Sequence, residues 1–285
     1  MSLLGYNAAI MKLACLLAVA LCADAQTLQV TSHLGTKFYS KPDSKGAVAA
    51  AQKALDPSKA ESLYKLAQAQ LGIWQNKEAV ETLTRALALA PDNAEYLTER
   101  GHRYLPLREF AKAEADLDRS ARIDPRKMAT WYHLGLAHYF LNEFSSAADA
   151  FAHAVAIAPN TDEKINSTNW LYAALRRAGK TQEAAEALKG VPASMTNESP
   201  HTKFYLNLVR FFQGAMTEAQ AVPPMPPAGN TDDEVELPFD TTAYGVGNWH
   251  VYNGQPGKAQ EYFKRVLKGH VWVTWGFIGS ELEVR

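Results

Sequence analysis

Proline recurs every 34 residues through the middle of this chain, at Pro91, Pro125 and Pro159. Three further position classes keep the same interval in phase with it: Ala67, Gly101 and Gly135; Ala79, Ala113 and Ala147; Leu83, Leu117 and Phe151. A fixed period of this length restricts the fold more than any single motif. Each repeat must be one small supersecondary unit that buries its apolar face only against its neighbours. Alanine-rich stretches with apolar residues at helical spacing lie between the prolines, so the unit is read as a pair of helices. The proline ends the second helix and fixes the turn into the next unit.

The third unit shows how such a pair is assembled. Its stretch WYHLGLAHYFLNEF (131–144) puts Gly135 inside a helix-forming segment, where glycine costs about 1 kcal/mol relative to alanine. Packing is the expected return. Gly135 on the first helix, with Ala147 and Ala154 on the second, lets two backbones approach closely. Trp131, Leu134 and Phe151 then fill the space between neighbouring pairs.

Trp131, Leu134, Gly135, Leu141, Phe144, Ala147, Phe151, Ala154 and Pro159 together resemble the tetratricopeptide repeat; His138 departs from it, where that family usually has tyrosine. The resemblance implies an all-α fold, a right-handed α-solenoid of antiparallel helix pairs. Regular units are read at 60–93, 94–127 and 128–161. A fourth is read at 165–191, with Tyr172 at the small-residue site and Pro192 arriving early. Residues 26–59 are read as an extended segment and a covering helix. Residues 192–242 are read as a degenerate half-repeat and an exposed loop rich in proline and acid (221–240), and 243–285 as a further helix pair and a closing helix.

In the family, first helices line a concave groove. Carried over residue by residue, the groove candidates are Tyr64 and Gln68, Thr98 and His102, Tyr132, Leu136 and Tyr139, and Asn169 and Arg176. Tyr132, Leu136 and Tyr139 fall at i, i+4, i+7, a single helical stripe. Tyrosine suits peptide capture because it joins a large contact area to a hydrogen-bonding tip. Such a stripe needs an occupant. It is either a partner segment or the chain's own N-terminal segment, 221–240 loop or closing helix. The family's grip on a terminal carboxylate uses lysine and asparagine at fixed first-helix positions. Tyr64, Gln68, Thr98 and His102 stand there instead, so binding of chaperone tails in that manner is not expected. Arg176, Arg177 and Lys180 make a small basic edge, expected to be solvated. Its other readings are contact with an acidic partner or with the chain's own DDEVE (232–236).

Ahead of the repeats, Lys12 and the apolar run 13–25, ending Ala23-Asp24-Ala25, read as an export signal cleaved before Gln26, with Met11 as a candidate start. The run is shorter than the roughly 20 residues of a membrane span. Cys15 and Cys22 both fall inside it, so the mature chain is expected to lack thiol chemistry. Leu21 before Cys22 argues against a lipid anchor. The protein is therefore expected to be periplasmic or secreted.

With 29 basic against 30 acidic residues, no global field draws nucleic acid or anionic lipid. The motifs HExxH, GxSxG and GxxxxGK[ST] do not occur in the sequence. No cofactor or metal is expected, since His133 and His138 are not at the i, i+4 spacing of a helical ligand pair. The leading expectation is an exported, non-enzymatic scaffold that holds a peptide segment or protein partner, with a permanent subunit of an envelope complex as its close variant. The alternative is a small-ligand carrier or enzyme with a site in the aromatic C-terminal third, around Trp249, His250, Trp272 and Trp275. Those four are otherwise read as a closing core.

Overall fold

The computed structural model describes residues 26–284; the predicted export signal, with Met11, Cys15 and Cys22, lies outside the described residues. Among the described residues are fourteen α-helices, one short 3-10 turn and a single two-stranded sheet. No described helix is long and apolar enough to cross a membrane. Contacts divide the chain into one unit ending at Pro91 and another beginning at Asp92.

The first unit opens with an antiparallel hairpin, β1 (Leu28–Thr31) and β2 (Lys37–Tyr39), with Val30 opposite Phe38. Helices α1 (Ala47–Lys53), α2 (Ala60–Leu71) and α3 (Asn76–Leu89) follow. Leu63, Leu66 and Ala67 of α2 and Ala79, Leu83 and Ala86 of α3 are all buried, which forms the core of this pair. The hairpin serves the start of α3, where the N-cap residue makes no side-chain hydrogen bond. Fully buried Gln29 accepts the Lys77 amide at 2.9 Å and donates to Glu78 at 2.8 Å. One of the amides a helix start leaves open is satisfied in this way.

The second unit contains three successive pairs: α4 (Ala94–Tyr104) with α5 (Phe110–Ile123), α6 (Met128–Phe140) with α7 (Phe144–Ala156), and α8 (Thr161–Arg177) with α9 (Thr181–Lys189). Pair packs on pair, α5 against α6 and α7 against α8. Helix α10 (Lys203–Phe212) and the short α11 (Glu218–Ala221) make a curtailed pair. Helix α12 (Asp233–Tyr252), α13 (Pro256–Val266) and the closing helix α14 (Trp275–Glu283) complete the unit.

The repeat is most regular at the turn inside each pair. Gln75, Glu109, Glu143, Lys180, Ala215 and Gln255 each donate their amide to the carbonyl five residues earlier. The residue before each donor has positive φ: Trp74, Arg108, Asn142, Gly179, Gly214 and Gly254. Glycine takes that conformation without strain, whereas an L side chain pays about 1–2 kcal/mol. The three regular units nevertheless use tryptophan, arginine and asparagine.

Where the two helices of a pair meet, the expected small-residue seam is present, with a refinement. A Cβ on Gly135 would lie 2.7 Å from the Phe151 ring, one on Gly101 2.6 Å from Leu117, and one on Gly247 2.7 Å from Phe263. At each the glycine makes room first for a large side chain of the partner helix, and at Gly101 for the Ala113 carbonyl as well, 3.2 Å away.

Helix α12 starts at Asp233, inside the stretch read as an exposed loop. Asp232 caps it by accepting the Glu234 amide at 3.0 Å, and Asp233, Glu234 and Glu236 place negative charge at the positive end of the helix dipole. Pro238 sits within the helix, yet the carbonyl it leaves unpaired belongs to exposed Glu234. Acid density that reads as disorder in isolation is here a helix start.

Candidate functional site

The first helices of the three pairs, α4, α6 and α8, carry the groove positions expected in the second unit. The most informative of them is α6, in which Thr130, Tyr132, Leu134, Gly135, Leu136, Ala137, Tyr139 and Phe140 are all buried. A helix apolar on every side is covered on every side. Beyond its neighbours in the stack, α6 is met by Asn248 of α12 and Trp275 of α14.

Tyr139 is 3% exposed, and its hydroxyl accepts from Asn248 of α12 at 2.7 Å. Desolvation raises the Tyr139 phenol above its ordinary value, so it stays neutral. Asn169, also buried, lines a small cavity together with Thr241, Tyr244 and Asn248 of α12. Leu136 is fully buried, and Tyr132 is 7% exposed with its hydroxyl donating to Asn166 at 3.2 Å. Thr98 does not face a groove at all. Its hydroxyl lies 2.8 Å from that of Ser120 and 2.7 Å from that of Thr130, a buried polar knot joining α4, α5 and α6.

His102 stacks on His133 with ring centroids 3.9 Å apart, and Trp275 at the start of α14 lies 5.5 Å from His102. Burial, then the charge of Arg103, holds the His102 imidazole well below its ordinary range; the same causes lower His133 to about 3. Both rings are neutral at physiological pH and unsuited to proton transfer there.

The two arginines of the basic edge are engaged within the chain while Lys180 keeps 37% of its side chain exposed, and the acidic contact is not 232–236. Arg177 donates to Glu283 of α14 at 2.6 Å and to Asn248 at 3.0 Å, while Arg176 reaches Asn253 at 3.0 Å. Sequence reasoning missed a second anchor in the same last turn of α14, two residues before Glu283. Arg108 donates to Glu281 at 2.8 Å, and Glu281 is only 1% exposed. Arg108 sits at a positive-φ turn position, where an L side chain instead of glycine was the available signal.

In the second unit, therefore, Tyr139, Asn169, His102 and Arg176 meet the chain's own C-terminal helices. Tyr132 and Leu136 are buried, and Thr98 lies in a helix seam. Tyr139 also lines a cavity of about 210 Å³ shared with Phe140, Arg177, Tyr244 and Glu283, and Arg176 stays half-buried. In the first unit Tyr64 of α2 is half-buried and Gln68 is exposed, beside exposed Glu61 and Gly72.

Trp249, His250, Trp272 and Trp275 are dispersed through the closing core rather than gathered round one site. Trp249 packs on Phe211, His250 hydrogen-bonds Gln255 at 2.9 Å, and the Arg108 guanidinium lies over Trp272. Glu114, His138 and Glu143 bring three possible metal-ligand atoms within 4.8 Å of one another. His138 Nδ1 is 2.7 Å from Glu143, so a hydrogen bond already accounts for the ring's position.

Residues 60–93 and 98–161 each match the tetratricopeptide repeat, and the chain carries repeats of that kind. Among curated proteins it is 26% identical over 142 residues to the heat-shock protein cognate co-chaperone sgt12 of Aspergillus fumigatus, covering 48% of this chain and 42% of that one. It is 29% identical over 111 residues to the tetratricopeptide repeat-containing protein trd-1 of Caenorhabditis elegans, covering 39% and 14%. The chain thus spans less than half the length of either relative. Among solved structures it is similar to MamA, at 26% identity and a TM-score of 0.47 over 51% of this chain and 79% of that one.

Proposed function

We propose that this chain is an exported, non-enzymatic scaffold that holds a peptide segment or protein partner on its repeats. The partner face in this reading is α2 of the first unit. The observation that carries it is the contrast between two first helices. Helix α6 has no exposed residue, whereas α2 keeps Glu61, Lys65 and Gln68 exposed and Tyr64 and Leu71 half-buried. A half-buried tyrosine and leucine among polar neighbours resemble the apolar centre and polar rim of a modest protein contact. The similarity to a co-chaperone of the same repeat class supports partner binding. The lack of lysine and asparagine at the carboxylate-gripping positions argues for a partner other than a chaperone tail. Export rests on the segment before Gln26, and it places the mature protein in the periplasm or outside the cell.

A photo-crosslinking residue placed at Gln68 or at Leu136, in the native host, tests the reading. A discrete adduct from position 68 and none from position 136 is expected. Adducts from 136 alone would refute it, because the covered groove would then be the partner face. Mature protein beginning at Gln26 is expected from N-terminal sequencing; retention of the first 25 residues would refute export by cleavage.

A further inference from the structure

A cavity of about 290 Å³ lies beside the proline-rich segment 225–230, in the second unit and away from the concave face. Its other walls come from Glu236, Phe239 and Asp240 of α12, Arg265 and Val266 of α13, and the turn 268–270. That volume stands at the small end of ligand pockets, about 300–1,000 Å³. It suits a metabolite of amino-acid size rather than a nucleotide.

The charged groups of this cavity fall into two sets. Glu236 is saturated: it accepts the amides of His270 and Val271, and it lies 2.6 Å from His270 Nδ1. His270 is bound in turn to Asp233 at 3.1 Å. Asp240 is fully buried, and its Oδ2 accepts the Thr274 hydroxyl at 3.0 Å, but its Oδ1 has no hydrogen-bond partner. Arg265 lies over the Phe239 ring at 5.4 Å, and neither it nor exposed Lys268 forms an ion pair among the described residues. Two cations and one buried carboxyl thus line the same space without reaching each other. A buried polar oxygen left unmatched is a standing cost that a bound donor would recover.

We propose that this cavity binds a free α-amino acid with an apolar side chain, its ammonium group on Asp240, its carboxylate on Arg265 and Lys268, and its side chain against Phe239, Val266 and Met225. A zwitterion gives the two cations an anionic partner and the Asp240 Oδ1 a donor at once. An inorganic anion would leave the apolar walls of Phe239 and Val266 without a contact, and a metal ion would find one unengaged carboxylate oxygen among largely apolar walls. Burial, and then the Glu236 charge, raise the Asp240 carboxyl to about 8, so at neutral pH an incoming ammonium displaces its proton to solvent. This site is separate from the α2 face and does not depend on the scaffold reading.

Calorimetry on the full chain with L-leucine, L-phenylalanine and L-methionine tests it, beside isoamylamine and 4-methylvalerate as single-charge probes. At least one amino acid is expected to bind with Kd below about 1 mM, and each single-charge probe at least about tenfold more weakly. Repeating the titration in buffers of different ionisation enthalpy should show release of close to one proton near pH 7. Asp240→Asn keeps the shape and the neutral state of the folded chain, so it should fold and yet bind at least about tenfold more weakly. Arg265→Met keeps the apolar stem over Phe239 and should weaken binding likewise. No binding by any amino acid up to about 20 mM, equal binding of isoamylamine, binding without proton release, or unchanged affinity in both folded variants would each overturn the proposal.

Discussion

Replacing Gly135 with alanine sets two effects of opposite sign against each other. Helix propensity favours the change by up to about 1 kcal/mol. Packing opposes it, because the new Cβ would lie 2.7, 2.7 and 2.8 Å from three atoms of the Phe151 ring. Carbon pairs rest at about 3.5–4.0 Å, so the whole ring edge must retreat by roughly 1 Å. Phe151 is fully buried and stacks on Trp170 with centroids 6.0 Å apart, with Tyr132 5.9 Å away on another side. A core this closed has little room to yield, and overpacking of this kind costs about 1–3 kcal/mol. The expected net is a loss of about 1–2 kcal/mol. Urea unfolding followed by tryptophan fluorescence reads it, since Trp170 sits beside the affected ring. Gly257→Ala on α13 is the control: its Cβ would meet nothing within 4 Å, so it should be neutral or stabilising by a few tenths of a kcal/mol or more. Adding Phe151→Leu to Gly135→Ala should recover part of the loss. Stabilisation by Gly135→Ala equal to that of the control would refute the idea that the repeat's glycine is there to seat a ring.

Tyr139→Phe removes the acceptor for Asn248 and leaves a buried amide donor unmatched, at a cost of about 1–3 kcal/mol, read from thermal unfolding; an unchanged midpoint would mean that the stripe is not covered by α12. Asp240 gives a pH dependence whose sign is set by its upward shift. Between about pH 4 and 8 the folded chain keeps a proton that the unfolded chain has lost, so stability falls as pH rises, by about 1.4 kcal/mol per unit from this group. The slope ends above the folded value near 8, and Asp240→Asn should lack it; identical pH profiles for both proteins would contradict burial of this carboxyl.

Much of the architecture was written locally. Proline at a fixed interval, glycine opposite an aromatic 16 residues later, as in Gly135 and Phe151, and asparagine caps at 93 and 160 each act within one unit or its immediate neighbour. Short-range physics of that kind leaves a periodic trace, so the helix pairs could be read directly. The state of the concave face left a weaker trace. WYHLGLAHYF has no acidic residue, lysine or arginine on any side of α6, which is a sign of burial all round, whereas α2 keeps a polar side with Glu61, Lys65 and Gln68.

What covers that face was decided only by tertiary structure. Arg108 meets Glu281 and Arg177 meets Glu283 across 173 and 106 residues of chain. Asn248 reaches Tyr139 across 109. The cavity beside residues 225–230 exists because α12, α13 and an irregular loop converge. Contacts between distant segments obey no period. Their partners are chosen by the way stacked pairs bring chain ends together, and one-dimensional patterning carries no record of that meeting.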